Sequence, residues 1–325
     1  VRCRLGIAIL SALDPIILFF LLGLAAGLLR SELRLPAAVY ELVSMLLLLA
    51  IGLKGGIELA RQPFGGLAPQ ILAVIAMGVL QTLLAFPVLL YAGRFKRADA
   101  AAIAAHYGSV SVATYAVAVA WFASRDIAFE AHMPLLLAVL EVPAILVGIV
   151  LARGMSRDMR LGAVAHDVFL GKGIVLIVGG LAIGWAAGSD GLAPVKPLFF
   201  DLFKGILALF LLEMGLITAG QFGSLRRYGA FLAAFGLGMP LLSSLVGTAV
   251  GLLLGLTPGG TAMLATLAAS ASYIAVPAAM RISVPDANPA LSLAASLGVT
   301  FPFNVLVGIP LYHALAVRAH AHLAG

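Results

Sequence analysis

Charge is what this chain has least of. Asp, Glu, Lys and Arg together make up 10% of its 325 residues, against a hydrophobic share of 62%. Soluble domains carry about 25% charged residues, so this chain cannot clothe itself in polar surface in water. Cysteine is nearly absent: Cys3 alone excludes an internal disulfide and a thiolate metal cluster. No stripe of alternating aromatic and basic residues accompanies the net charge of +6, which excludes a nucleic-acid surface. No stretch between apolar runs is long enough for a soluble domain. The expectation is one integral membrane domain over residues 1–325, embedded in a lipid bilayer.

What is present is apolar runs long enough to cross it. A bilayer needs about 20 apolar residues per helix, and windows between charged or Pro/Gly breaks give ten spans. They are 14–29, 37–59, 67–92, 98–123, 133–152, 169–187, 198–219, 230–256, 259–280 and 289–317. The first is long for a signal-peptide core and lacks a small-residue cleavage site, so it reads as a mature helix. Twelve Lys and Arg residues fall in loops on one side and six on the other. The richer side is expected in the cytoplasm, which places both termini outside the inner membrane of the cell.

The chain repeats itself. Gly23-Leu24-Ala25-Ala26-Gly27 echoes Gly180-Leu181-Ala182-Ile183-Gly184, Gly52-Leu53 echoes Gly215-Leu216, Ser109/Ser111 echoes Ser270/Ser272, and Leu146-Val147-Gly148-Ile149 recurs as Leu306-Val307-Gly308-Ile309. The offsets are 157, 163, 161 and 160 residues. Each half, 14–152 and 169–317, holds five spans, an odd number, so the halves must insert with opposite orientation. That predicts an all-α fold of ten helices in a 5+5 inverted-topology repeat, as in many secondary transporters.

Two polar interruptions stand at matching repeat positions: Gly108, Ser109, Val110 and Ser111 in the fourth span, and Ala269, Ser270, Ala271, Ser272 and Tyr273 in the ninth. Irregular backbone survives at membrane depth only inside protein or against water. A helix broken there offers free N–H donors and positive dipole character, and the hydroxyls add donors. Two such breaks, crossing at the midplane, would bind a small anion. The competing reading is that Gly and Ser allow close helix packing.

Glu141 lies mid-span before Pro143, where an ionisable side chain is expensive and usually functional. Its repeat counterpart is Thr300-Phe301-Pro302-Phe303-Asn304. Carboxylate, hydroxyl and amide oxygens suit a hard cation, making Glu141, Thr300 and Asn304 candidate sodium ligands. A proton-carrying carboxylate or a structural hydrogen bond are the rivals. Lys54 and Glu58 are spaced to pair on one helix face, with snorkelling to the interface the plainer account. Glu213 has no assignable role, His106 is either packing or substrate contact, and His320 and His322 read as incidental.

Five segments carry a family resemblance: Leu18-Phe19-Phe20-Leu21-Leu22-Gly23-Leu24, Arg34-Leu35-Pro36, Ala50-Ile51-Gly52-Leu53-Lys54-Gly55-Gly56, His106 to Ser111, and Ala269 to Ile274. They resemble the sodium-dependent bicarbonate transporters of cyanobacteria and other bacteria over about residues 14–316. The resemblance implies sodium-coupled bicarbonate symport by an elevator motion of a core (spans 3–5 and 8–10) against a scaffold (spans 1, 2, 6 and 7). It also implies a homotrimer and a trimeric PII-like regulator docking on the cytoplasmic face, where the linker 153–167 is short. A sodium/proton exchanger of the same architecture would need a buried acidic pair that the breaks lack; another small organic anion would fit the same donors. An intramembrane enzyme would need a metal-binding or paired-aspartate motif or a serine with a base, and only His106 is near a serine. The chain is therefore read as a transporter and not an enzyme, with sodium and no organic cofactor.

Overall fold

A computed structural model describes residues 15–60, 66–154, 162, 166 and 168–324. The segment before residue 15, Arg61, and most of the linker 153–167, including Arg157 and Arg160, lie outside the described residues. The PII-like docking and the position of the N-terminus therefore rest on sequence alone.

Among the described residues every regular element is helical. Among the described residues, eight helices are long and apolar enough to cross a membrane. Two expected spans fall outside that set. The first is helix α1, described over Pro15–Leu28. The ninth expected span is divided by its polar interruption.

In chain order the remaining helices are α2 (Ala37–Leu59), α3 (Leu67–Pro87), α4 (Arg97–Gly108), α5 (Val112–Ala123), α6 (Met133–Arg153) and α7 (Lys172–Gly191). They are followed by α8 (Phe203–Tyr228), α9 (Ala230–Leu253), α10 (Pro258–Ala268), α11 (Ala275–Ser283), α12 (Pro289–Ala295) and α13 (Ile309–Ala324). Between α12 and α13 the helix runs on through two wide π turns, Ser296–Thr300 and Asn304–Gly308. Pro302 and Pro310 explain them. Each lacks an N–H, and its ring clashes with the carbonyl four residues back, at Gly298 and Leu306, so the helix widens there.

Four glycines join helices backbone to backbone in two pairs. A Cβ on Gly23 of α1 would run into Leu212 O of α8, and one on Gly215 of α8 into Phe20 O of α1. On the other pair, a Cβ on Gly52 of α2 would lie 2.5 Å from Ile177 O, and one on Gly180 of α7 would lie 3.0 Å from Gly52 Cα. Glycine is the only residue that lets these helices approach so closely, as small residues do in membranes generally. The repeated Gly motifs are thus each other's contact surfaces: α1 with α8, α2 with α7.

Burial sorts the helices. In the interrupted segment Arg97–Ala123, 94% of the most apolar window is buried inside the protein, against 28% in Lys172–Gly191. The segment α4–α5 and helix α10 form the interior. Helices such as α7, with Val175, Val178, Ile183 and Trp185 exposed, present apolar side chains outward as a lipid-facing surface does.

Candidate functional site

Helix α4 ends at Gly108, and α5 begins after Ser111. Only Ser109, Val110 and Ser111 are non-helical. Gly108 itself is helical, and its lack of a side chain serves packing: a Cβ would strike Thr82 Oγ1 and come within 2.7 Å of Gly78 O on α3. Ser111 is the N-cap of α5, its hydroxyl accepting from Thr114 N at 3.1 Å, the usual service of serine at that position.

The second interruption runs from Ala269, the C-cap of α10, to Ile274, the N-cap of α11. Pro277 falls in the first turn of α11, where a missing N–H removes no helical bond. Ser272 Oγ accepts from Val276 N at 3.4 Å.

The two interruptions meet. Ser111 N donates to Ser270 Oγ at 2.9 Å, and Ser272 N donates to His106 O at 2.8 Å. Ser109, Ser111, Ser270 and Ser272 are each no more than 3% exposed. Residues 159 positions apart thereby share a single buried polar seam.

Two further helices brace the seam. Ser109 Oγ lies 3.5 Å from Glu141 O on α6. Asn304 Nδ2 donates to Ala269 O at 2.9 Å, and Asn304 Oδ1 accepts from Tyr312 Oη at 2.7 Å. Thr300 Oγ1 donates to Gly236 O at 2.7 Å. Pro240 stands four residues after Gly236 in α9 and has no N–H to give that carbonyl, so Thr300 supplies the missing donor. With its one hydrogen committed there, Thr300 Oγ1 accepts from Tyr107 Oη, also at 2.7 Å. Thr300 and Asn304 each keep one oxygen lone pair uncommitted.

No hydrogen bond joins Glu141 to Thr300 or to Asn304 among the described residues. The Glu141 carboxylate looks the other way, towards Gly173 at the start of α7. There it lines a cavity of about 640 Å³ whose wall also includes Tyr40, Val112, Phe210, Tyr273 and Lys172. That volume holds about 20 waters at about 30 Å³ each, far more than one small ion needs, so it is a vestibule. It reaches the first turns of α5 and α11, through Val112 and Ala113 and through Ile274 and Ala275. Those turns carry N–H groups with no intrahelical acceptor. Tyr273 is 9% exposed and its hydroxyl has no hydrogen-bond partner among the described residues. At the rim Lys172 Nζ pairs with Glu41 Oε2 at 3.5 Å, both side chains more than half exposed.

Other polar residues now have places. Glu213 Oε2 accepts from Leu35 N at 3.3 Å, tethering the segment that leads into α2. This is a structural role that no local pattern signals, because the partners lie 178 residues apart. His320 Nε2 lies 3.0 Å from Thr261 Oγ1 on α10, so it is engaged and not incidental. His106 donates from Nδ1 to Ala102 O at 2.7 Å within its own helix.

Fold and site together define a multi-pass helical membrane protein in which two interrupted helices are sewn together at a buried polar seam, with a vestibule leading to it. The chain belongs to the Na⁺-dependent bicarbonate transporter superfamily, whose family profile matches residues 15–317. A search of curated proteins gives no significant match.

Proposed function

We propose that this protein imports bicarbonate into the cell by sodium-coupled symport. The observation that carries the site assignment is the pair of hydrogen bonds joining Ser111 to Ser270 and Ser272 to His106, placed where the vestibule meets two helix N-termini. The anion is held by the N–H groups that open α5 and α11, with the Ser111, Ser272 and Tyr273 hydroxyls as further donors, while Ser270 and Ser109 give their hydrogens to Leu267 O and Glu141 O and shape the site. Membership of the Na⁺-dependent family supplies the cargo and the coupling ion.

Sodium takes oxygen ligands from Thr300 and Asn304, whose free lone pairs lie beside the seam, with Glu141 acting from the vestibule wall. The glycine contacts favour the inverted repeat. The first helix of one half packs on the second of the other, α1 on α8, and the reciprocal pair is α7 on α2, as a pseudo-two-fold axis requires. These four helices are the scaffold, and α3–α6 with α9–α13 form the core that carries the seam across the membrane, elevator fashion. A homotrimer assembled through the scaffold and a PII-like regulator on the cytoplasmic side complete the reading.

Uptake of labelled bicarbonate into proteoliposomes, with and without a sodium gradient, tests it. Uptake indifferent to sodium refutes the coupling. The breadth of the vestibule favours one alternative cargo, a small organic anion, and competition by acetate and formate in the same assay decides between them.

A further inference from the structure

A second cavity, of about 280 Å³, lies on the other side of α11 from the vestibule. Its wall includes Ala102 and His106 of α4, Met280 and Arg281 of α11, and Ser292 of α12. His106 is 2% exposed. Its Nδ1 must carry a hydrogen, because Ala102 O can only accept. The neutral ring therefore presents Nε2 as a bare acceptor, and Nε2 is buried without a partner. Leaving such an acceptor unmet is costly, and nothing in the transport site as described uses it. Arg281, on the exposed side of the same wall, supplies a guanidinium, and no carboxylate stands among the wall residues.

We propose that this cavity is a second binding site for a small oxyanion that still carries an O–H. The ligand needs one O–H to donate to His106 Nε2 and charged oxygens to accept from Arg281. Chloride has no hydrogen to give, and an amine would be repelled by the guanidinium. Hydrogen carbonate meets both demands, as does dihydrogen phosphate. The identification as hydrogen carbonate rests on the proposed cargo; the site itself does not. His106 O also accepts from Ser272 N, so an occupant here touches the residue that holds the second interruption. The site is thereby placed to let the anion on the Arg281 face act on the transport seam.

The test counts sites. Carbon-14 hydrogen carbonate is titrated onto the purified protein in nanodiscs at saturating sodium, with inorganic phosphate and chloride as competitors. Wild type should bind two per chain. Arg281→Gln should bind one, and so should His106→Asn, which keeps a donor for Ala102 O while deleting Nε2. Phosphate displacing one of the two equivalents, with chloride displacing neither, supports the protonated-oxyanion chemistry. A wild type that binds one equivalent, unchanged in Arg281→Gln, overturns the second site and leaves the transport reading standing. If hydrogen carbonate binds nowhere, the transport reading fails. The second site then stands or falls on whether phosphate binds wild type and is lost from Arg281→Gln.

Discussion

Ser111 N donates to Ser270 Oγ at 2.9 Å across a buried boundary between the two interrupted helices. Ser270 Oγ passes its own hydrogen to Leu267 O at 2.7 Å, so one side chain serves both interruptions. Ser270→Ala leaves the Ser111 N–H buried and unpaired, at a cost of about 1–3 kcal/mol. A lower melting temperature and a loss of bicarbonate uptake at least tenfold are expected together, read by thermal unfolding in detergent and by proteoliposome flux. Full uptake in the variant would remove Ser270 from the site.

Gly108→Ala separates packing from binding. Its Cβ meets Thr82 and Gly78 on α3 and lies 3.0 Å from Ala144 Cβ, so α4 must shift. Gly205→Ala is the control: a helical glycine with nothing within 4 Å, where alanine should be neutral or stabilise by about 0.5–1 kcal/mol. Uptake should fall severely in the first and be unchanged in the second.

Thr300→Val keeps shape and deletes the hydroxyl that serves both Gly236 O and Tyr107 Oη. Two buried polar groups lose their partner, and about 2–6 kcal/mol of stability should go with them. Sodium dependence is the second readout. If Thr300 is a sodium ligand, half-saturation shifts to higher sodium beyond any fall in folded fraction; an unshifted value restricts Thr300 to bracing Gly236.

Glu141→Gln tests the carboxylate by itself, since the seam touches only the Glu141 carbonyl, by way of Ser109. The variant should fold normally and need more sodium for half-maximal uptake. Unchanged sodium dependence would strike Glu141 from the ligand set.

His132 sits at the start of α6, outside the membrane-spanning part, 5% exposed and with Nε2 unpartnered. Burial pushes its pKa below the usual 6.5, partly opposed by Glu130. The unfolded chain then takes up the proton first, so stability is intact above pH 6.5 and declines as pH falls below it. Melting temperature should drop on acidification through that window, and His132→Gln should flatten the drop.

Much of this was legible in the residues because it depends on local pattern. Apolar run length gave the eight spans seen among the described residues, and Ser, Gly and Ser in place of leucine marked the interruptions. What the sequence could not show depends on partners far along the chain. The echo between Gly23 and Gly180 raised the expectation of a repeat, but that Gly23 packs on α8 and Gly52 on Gly180 follows only from how the helices assemble. Thr300 and Asn304 were visible as polar residues at depth; that one repairs the carbonyl freed by Pro240 and the other holds Ala269 is a three-dimensional fact. Glu141 was expected beside them, and its carboxylate points into the vestibule instead, because only its carbonyl faces the seam. Phe301-Pro302-Phe303 carried a proline signal, yet the widened turns on either side needed the backbone to be seen.

The Ser111–Ser270 and Ser272–His106 bonds set a limit on how the molecule can work. Parting the two interruptions would strand two buried N–H groups, at about 1–3 kcal/mol each. A gate that opens by pulling the half-helices asunder is therefore disfavoured. In the transport motion proposed above the two interruptions would move as one block, and the flexibility needed for turnover would fall to the connections at its edges.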